Sequence, residues 1–252
     1  MSTDQHLTED DMPTFTKLRL TAFGQTVIDI AGDSAYDDWT FSQKIRHALD
    51  TELAARAERR IGKLLKASHT PNPAACVEDI RYLPDRSITR DIVERLAACQ
   101  WIDRGTNLVL LGKSSVGKSY LAQALVNQAC RKDFSVCYYR LDDLANQLAV
   151  YHHADPDRLL FLGRVQAADA LVLDDFLTTP ITPEVSAELF NILAAREGKG
   201  STVIASQFDP QNWYKSLHDP VLAESILNRI VSTAEIVQLD GPNMRRHLHT
   251  TE

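Results

Sequence analysis

Apolar residues return at two different spacings along this chain, and the change of spacing divides it. From Thr40 onward, Leu49, Leu53, Ala57, Ile61 and Leu64 recur at helical spacing, while Arg56, Arg59, Lys63 and Lys66 fall on the other side. That pattern predicts one long amphipathic helix with a basic stripe opposite its apolar face. Beyond residue 105 the pattern becomes short apolar runs, at 106–111, 135–139, 170–173, 202–205 and 235–239, separated by stretches with helical patterning. Five strands joined by helical crossovers predict an α/β fold, a largely parallel sheet covered on both faces.

The segments outside these patterns set the expected domain limits. Residues 1–38 hold eight acidic side chains against Lys17 and Arg19, and the first dozen residues lack apolar periodicity. An acidic tail is expected over 1–14 and a helical domain over 15–70, beginning with a short helix near 15–30. Pro71, Pro73 and Pro84 interrupt regular structure, so 71–90 reads as an extended connector whose apolar points Ile80, Tyr82 and Leu83 can dock on a neighbouring surface. The core is expected over 91–246, entered through a helix at 92–100, with a short tail at 247–252.

Composition narrows the classes. The 252 residues with 44% hydrophobic content can build a core domain with a smaller one attached. A net charge of −7 excludes coating of nucleic acid over the whole surface but leaves room for a local basic patch. One such patch lies at 43–66, where seven basic side chains (Lys44, Arg46, Arg56, Arg59, Arg60, Lys63, Lys66) face three acidic ones (Asp50, Glu52, Glu58). Arg56, Arg59, Arg60, Lys63 and Lys66 are therefore candidate contacts to a DNA backbone, the alternative being a merely solvated face. No apolar run approaches membrane-spanning length, and Cys76, Cys99, Cys130 and Cys137 form no CxxC pair; free thiols in a reducing cytoplasm are expected, with no membrane partner.

The chemistry concentrates in three places. Gly112, Lys113, Ser114, Ser115, Val116, Gly117, Lys118 and Ser119 spell G-x-x-x-x-G-K-[ST], between a strand and a helix that opens with Tyr120. Backbone amides of such a loop face phosphate oxygens, the Lys118 ammonium reaches the β/γ-phosphates and the Ser119 hydroxyl ligates magnesium, so ATP and Mg2+ are the expected cofactors. About 55 residues later a buried strand ends in Asp174 and Asp175. In a parallel sheet both reach the edge that carries the loop, Asp174 to hold the metal and Asp175 to orient water. A further strand ends at Gln207, whose amide can reach the γ-phosphate or that water. Arg229 can serve the phosphates of an adjacent subunit, although spacing alone favours a surface salt bridge. The His152–His153 pair and His247 with His249 lack accompanying carboxylates or thiols and are not expected to bind metal.

With GKSSVGKSYLAQAL at 112–125, ALVLDDF at 170–176, STVIASQF at 201–208, DPVLAESILNRI at 219–230 and the basic helix ELAARAERRIGKLLKA at 52–67, the chain resembles the IstB-type transposition ATPases over roughly residues 15–246. These belong to the AAA+ group that also contains the helicase loader DnaC. The resemblance implies an AAA+ P-loop core behind a small helical N-terminal domain. It makes Arg229 a finger acting between subunits and adds Arg245, in Asn-Met-Arg, as a nucleotide contact. It implies an ATP-hydrolysing homo-oligomer on duplex DNA that assists a transposase. A DnaC-like helicase loader and a nucleotide-gated binding module with little turnover are the alternatives. Three departures from the family pattern bear on turnover: Ser115 stands for the usual Gly, Ser119 for Thr and Gln207 for Asn.

Overall fold

The computed structural model describes residues 7–151 and 155–249, the last three by backbone only. The chain divides into two compact units, Met1–Lys63 and Leu64–Glu252. The connector expected at 71–90 therefore lies within the second unit.

In the first unit, a 3-10 turn at Glu9–Asp11 runs into α1 (Met12–Lys17), so the chain is helical where an acidic tail was expected; residues 1–6 lie outside the described residues. The single helix expected near 15–30 is two, α1 and α2 (Thr21–Gly32), and a Cβ on Gly24 would collide with the Phe15 side chain. The long helix forms as α3 (Phe41–Ser68).

Its buried face is the expected one only toward its end, where Ile61 is half-buried and Leu64 packs against the core; earlier in the helix it differs. Leu49 and Leu53 are 48% and 65% exposed and Ala57 is exposed, whereas Ala48 and Glu52 are buried. The cause is a helix end. Leu20, the residue preceding α2, offers no side-chain cap, and the Ala22 and Phe23 amides donate instead to Glu52 Oε2 at 2.9 and 3.0 Å. Arg56 and Arg59 close on Glu52 Oε1 at 2.8 and 3.3 Å, and Arg56 also donates to the Arg19 carbonyl. Two cations of the expected stripe thus flank the buried face rather than oppose it.

Hydrogen bonding, from Arg56 first and then from the two amides, holds the Glu52 carboxyl below its ordinary range. A group with a depressed folded pKa stabilises above its unfolded pKa, and that contribution disappears as the pH falls through the folded value. Glu52→Ala should lower stability by ~2 kcal/mol, the scale of a lost helix cap together with a broken ion pair. In acid the difference from wild type should vanish. Thermal melts at neutral pH and below the carboxylate range check both.

The second unit is a five-stranded parallel sheet. β1 (Asn107–Leu111), β2 (Val136–Arg140), β3 (Ala170–Asp174), β4 (Ser201–Ser206) and β5 (Ala234–Gln238) stand in the order β2-β3-β4-β1-β5. β1, β3 and β4 are buried along their whole length, as expected of strands covered on both faces. Alternate residues supply two cores. Val109, Leu111, Leu171, Leu173 and Ile204 face one, with side chains of α7 (Leu141–Val150), α8 (Pro156–Ala167), α9 (Pro183–Arg196), α10 (Pro210–Ser216) and α11 (Pro220–Val231). Leu108, Leu110, Val172, Val203 and Ala205 face the other, with α4 (Arg90–Ala97), α5 (Gln100–Asp103), α6 (Lys118–Arg131) and Ile80 of the connector. The helix expected at 92–100 breaks into α4 and α5 where Cys99 takes a left-handed conformation, φ 58°.

Four helices on the first face begin alike. Asp155, Thr182, Asp209 and Asp219 each accept a backbone amide of the helix they precede, and each is followed by proline at the first helical position. A last helix, α12 (Met244–His249), occupies the start of the expected C-terminal tail; residues 250–252 lie outside the described residues. Of the connector's three apolar points Ile80 is buried and Leu83 half-buried, but Tyr82 is exposed, with Arg90 5.4 Å above its ring. Cys99, Cys130 and Cys137 are buried free thiols, and Cys76 is a half-buried one. Among the described residues no helix is long and apolar enough to cross a membrane.

Candidate nucleotide site

The carboxyl edge of the sheet carries a cavity of about 640 Å³. Its walls include Ser114, Ser115, Gly117, Lys118, Ser119 and Tyr120, together with Asp175, Gln207 and Arg245. The strand order explains the convergence: β4 lies between β3 and β1, so Gln207 emerges between Asp175 and the loop after β1.

The loop's shape demands its glycines. A Cβ on Gly112 would sit 2.1 Å from the Leu239 carbonyl oxygen, and Gly117, φ 103°, turns the chain into α6. Lys113 is exposed, and the Val116 side chain is buried in the core beneath the loop. Lys118 is 8% exposed, and its ammonium donates to the carbonyls of Gly112 and Lys113 at 2.8 and 2.9 Å. Burial lowers its pKa more than the nearby Asp174 and Asp175 raise it.

The two carboxylates are differently placed. Asp174 is buried, its Oδ2 taking a hydrogen bond from the Tyr138 hydroxyl at 2.5 Å and its Oδ1 one from the Asp175 amide at 2.9 Å. Burial, and after it the Asp174 charge, push the Tyr138 phenol far above its ordinary value, so it stays a donor. Asp175 adopts φ 50° and lines the cavity, and Arg140 Nε lies 3.1 Å from Oδ2 of its half-exposed carboxylate.

The structure does not bring every candidate here. Arg229 lines no part of this cavity. On α11 it stacks over Phe190 at 4.7 Å, donates from Nη1 to the Ser225 carbonyl at 3.0 Å, and holds Nε 3.1 Å from Glu197 Oε2, near enough for an ion pair but not aligned as a hydrogen bond. Arg56, Arg59, Arg60 and Lys63 belong to the first unit, and Lys66 is exposed near the end of α3. His152 and His153 lie outside the described residues, as do the side chains of His247 and His249.

Several wall and neighbouring residues escaped the sequence reading. Arg81, Arg86 and Ile88 come from the connector, Leu239 and Met244 from the chain after β5, and Tyr138 and Arg140 from β2. For β2 a signal existed, since a polar residue closing a buried parallel strand reaches the same edge as the loop. For Arg86 none did.

A parallel sheet of this order, with a phosphate loop after β1 and an aspartate closing β3, defines a P-loop nucleoside triphosphatase core of the AAA+ kind. The family model of the IstB-like ATP binding proteins matches residues 13–251, and the chain belongs to that family. An insertion-sequence ATP-binding protein of Sinorhizobium fredii is 32% identical over 232 residues, 91% of this chain and 92% of the relative. Among solved structures, DnaI superposes with a TM-score of 0.58 at 22% identity, over 72% of this chain and 98% of that one. AMPPCP-bound DnaA from Aquifex aeolicus gives 0.55 at 20%, over 72% and 54%. Both likenesses are of fold.

Proposed function

We propose that this protein hydrolyses ATP and, as a nucleotide-dependent oligomer on duplex DNA, assists a transposase in selecting or activating its target. The observation that carries the reading is the convergence of Lys118, Ser119, Asp175 and Gln207 on one cavity, from the ends of three adjacent strands. The insertion-sequence names of the relatives support the transposition setting.

Magnesium fits the donors present: the Ser119 hydroxyl and the Asp174 carboxylate are hard oxygen ligands, and Asp174 is held in place by Tyr138. Bound there, the ion would neutralise charge on the β- and γ-phosphates. The residues supply the rest. Loop amides orient the phosphates, Lys118 compensates their charge, Asp175 holds a water for in-line attack and Gln207 orients it from the neighbouring strand. Arg140 lies within reach of Asp175 and restrains it until the water is in place. Arg229, outside its own subunit's cavity, would act on the site of the next subunit, with Arg245 a contact of the bound nucleotide.

Mass measurement tests the assembly. Wild-type protein should shift from a small species to a large one only when duplex DNA and a non-hydrolysable ATP analogue are both present; an unchanged mass would overturn the reading. The DNA surface has its own check. Reversing Arg56 would set a like charge against Glu52 and disturb the fold, so Lys63→Glu with Lys66→Glu is the cleaner variant. It should weaken duplex binding by about tenfold at low salt, flatten the salt dependence and spare nucleotide affinity, as expected when phosphate contacts are lost. Binding indistinguishable from wild type across a salt titration would move the DNA surface elsewhere.

A further inference from the structure

We propose that Arg86 is a positioning residue that braces the phosphate loop in its binding conformation, compensating for the serine at position 115; the proposal rests on the loop being the nucleotide site. Ser115 has φ 67°, the left-handed region that side chains other than glycine rarely occupy. Such a conformation persists where surrounding groups over-determine it. Here two adjoining carbonyls are pinned from opposite ends of the domain's sequence. The Met244 amide, at the start of α12, donates to Ser115 O at 2.8 Å, and Arg86 Nη2, from the connector, donates to Val116 O at 2.9 Å.

The arginine occupies a built seat. Its Nη1 donates to the Arg81 carbonyl, and its own amide donates to Leu83 O at 3.0 Å. The next residue locks the connector to the end of β5: the Ser87 amide donates to Asp240 O at 3.0 Å, and Ser87 Oγ to Gln238 O at 2.8 Å. Two glycines make the room. A Cβ on Gly241 would fall 2.8 Å from Arg86 Cγ, and one on Gly117 3.0 Å from Nη2. The guanidinium therefore enters from the connector and holds the loop through a backbone oxygen, a contact that fixes shape without requiring any particular nucleotide. Because coupling is reciprocal, a nucleotide that orders the loop also secures the connector, the segment that follows α3.

The test uses the full-length protein with Arg86→Met, which keeps the packed stem and removes the donors. Titration with a fluorescent ATP analogue should show affinity about tenfold below wild type. In a Ser115→Gly background, where left-handed backbone costs little, the same change should cost less than about threefold relative to Ser115→Gly alone. Without nucleotide, amides of residues 112–119 should exchange hydrogen faster in Arg86→Met than in wild type. An unaltered affinity, an equal loss in both backgrounds or unaltered exchange would each overturn the brace, the equal loss pointing to direct contact with the nucleotide. If Arg86→Met does not fold, Arg86→Lys carries the same comparison with a smaller expected loss. Lys118→Ala separates the two levels: if it leaves nucleotide affinity intact, the phosphate-loop reading itself fails, whereas the exchange result judges the brace independently.

Discussion

Lys118→Ala should bind nucleotide at least ~100-fold more weakly than wild type while melting at the same temperature or slightly higher. The two halves of this expectation share one cause. Lys118 is buried and its ammonium donates to neutral carbonyls, and burial outweighs the nearby carboxylates in lowering its pKa. Within the protein alone the charge is incompletely compensated, so removing it costs the fold little. A triphosphate supplies the missing opposite charge through charge-assisted hydrogen bonds, and a hundredfold loss, about 2.8 kcal/mol, is the size expected when such a bond is withdrawn. Titration with a fluorescent analogue and melting curves with and without nucleotide separate the two effects. A folded variant of unchanged affinity would end the assignment of the loop.

For Arg229→Ala, ATP hydrolysis should fall about a thousandfold with nucleotide affinity nearly unchanged, and part of the activity should return on mixing with Lys118→Ala subunits. Arg229 is held by the Phe190 ring, the Ser225 carbonyl and Glu197, outside the cavity of its own subunit and 27% exposed. A cation so placed can stabilise transition-state charge only at a neighbour's site, where arginines of this kind contribute on the order of a thousandfold or more. In the mixture, a subunit with an intact loop meets one with an intact arginine at some interfaces, and these alone turn over. Absence of rescue over a range of ratios, with co-assembly demonstrated by mass, would count against action between subunits.

The candidate phosphate loop and the Asp174–Asp175 pair were legible as candidates because the chemistry proposed for them is contiguous: a handful of neighbouring residues would supply turn, cation and metal ligand in an order that few other structures need. The central strands were legible for a related reason, since a strand buried on both faces has to be apolar throughout. Even the Ser115 departure could be seen in the string of letters. The remedy for it could not, because Arg86 meets the loop at a backbone carbonyl 30 residues away and backbone oxygens leave no mark in a sequence. Gln207 was recognisable as a strand-end polar residue, yet its value depends on β4 lying between β3 and β1, an order that only the assembled sheet decides. The buried face of α3 likewise depended on a partner. Helical spacing proposed Leu49 and Leu53 as the inner face, but the unpaired amides opening α2 needed an acceptor, and Glu52, with Arg56 and Arg59 drawn to it, turned inward instead. Periodicity reports which side chains can leave water; which of them do is set by where the neighbouring backbone ends.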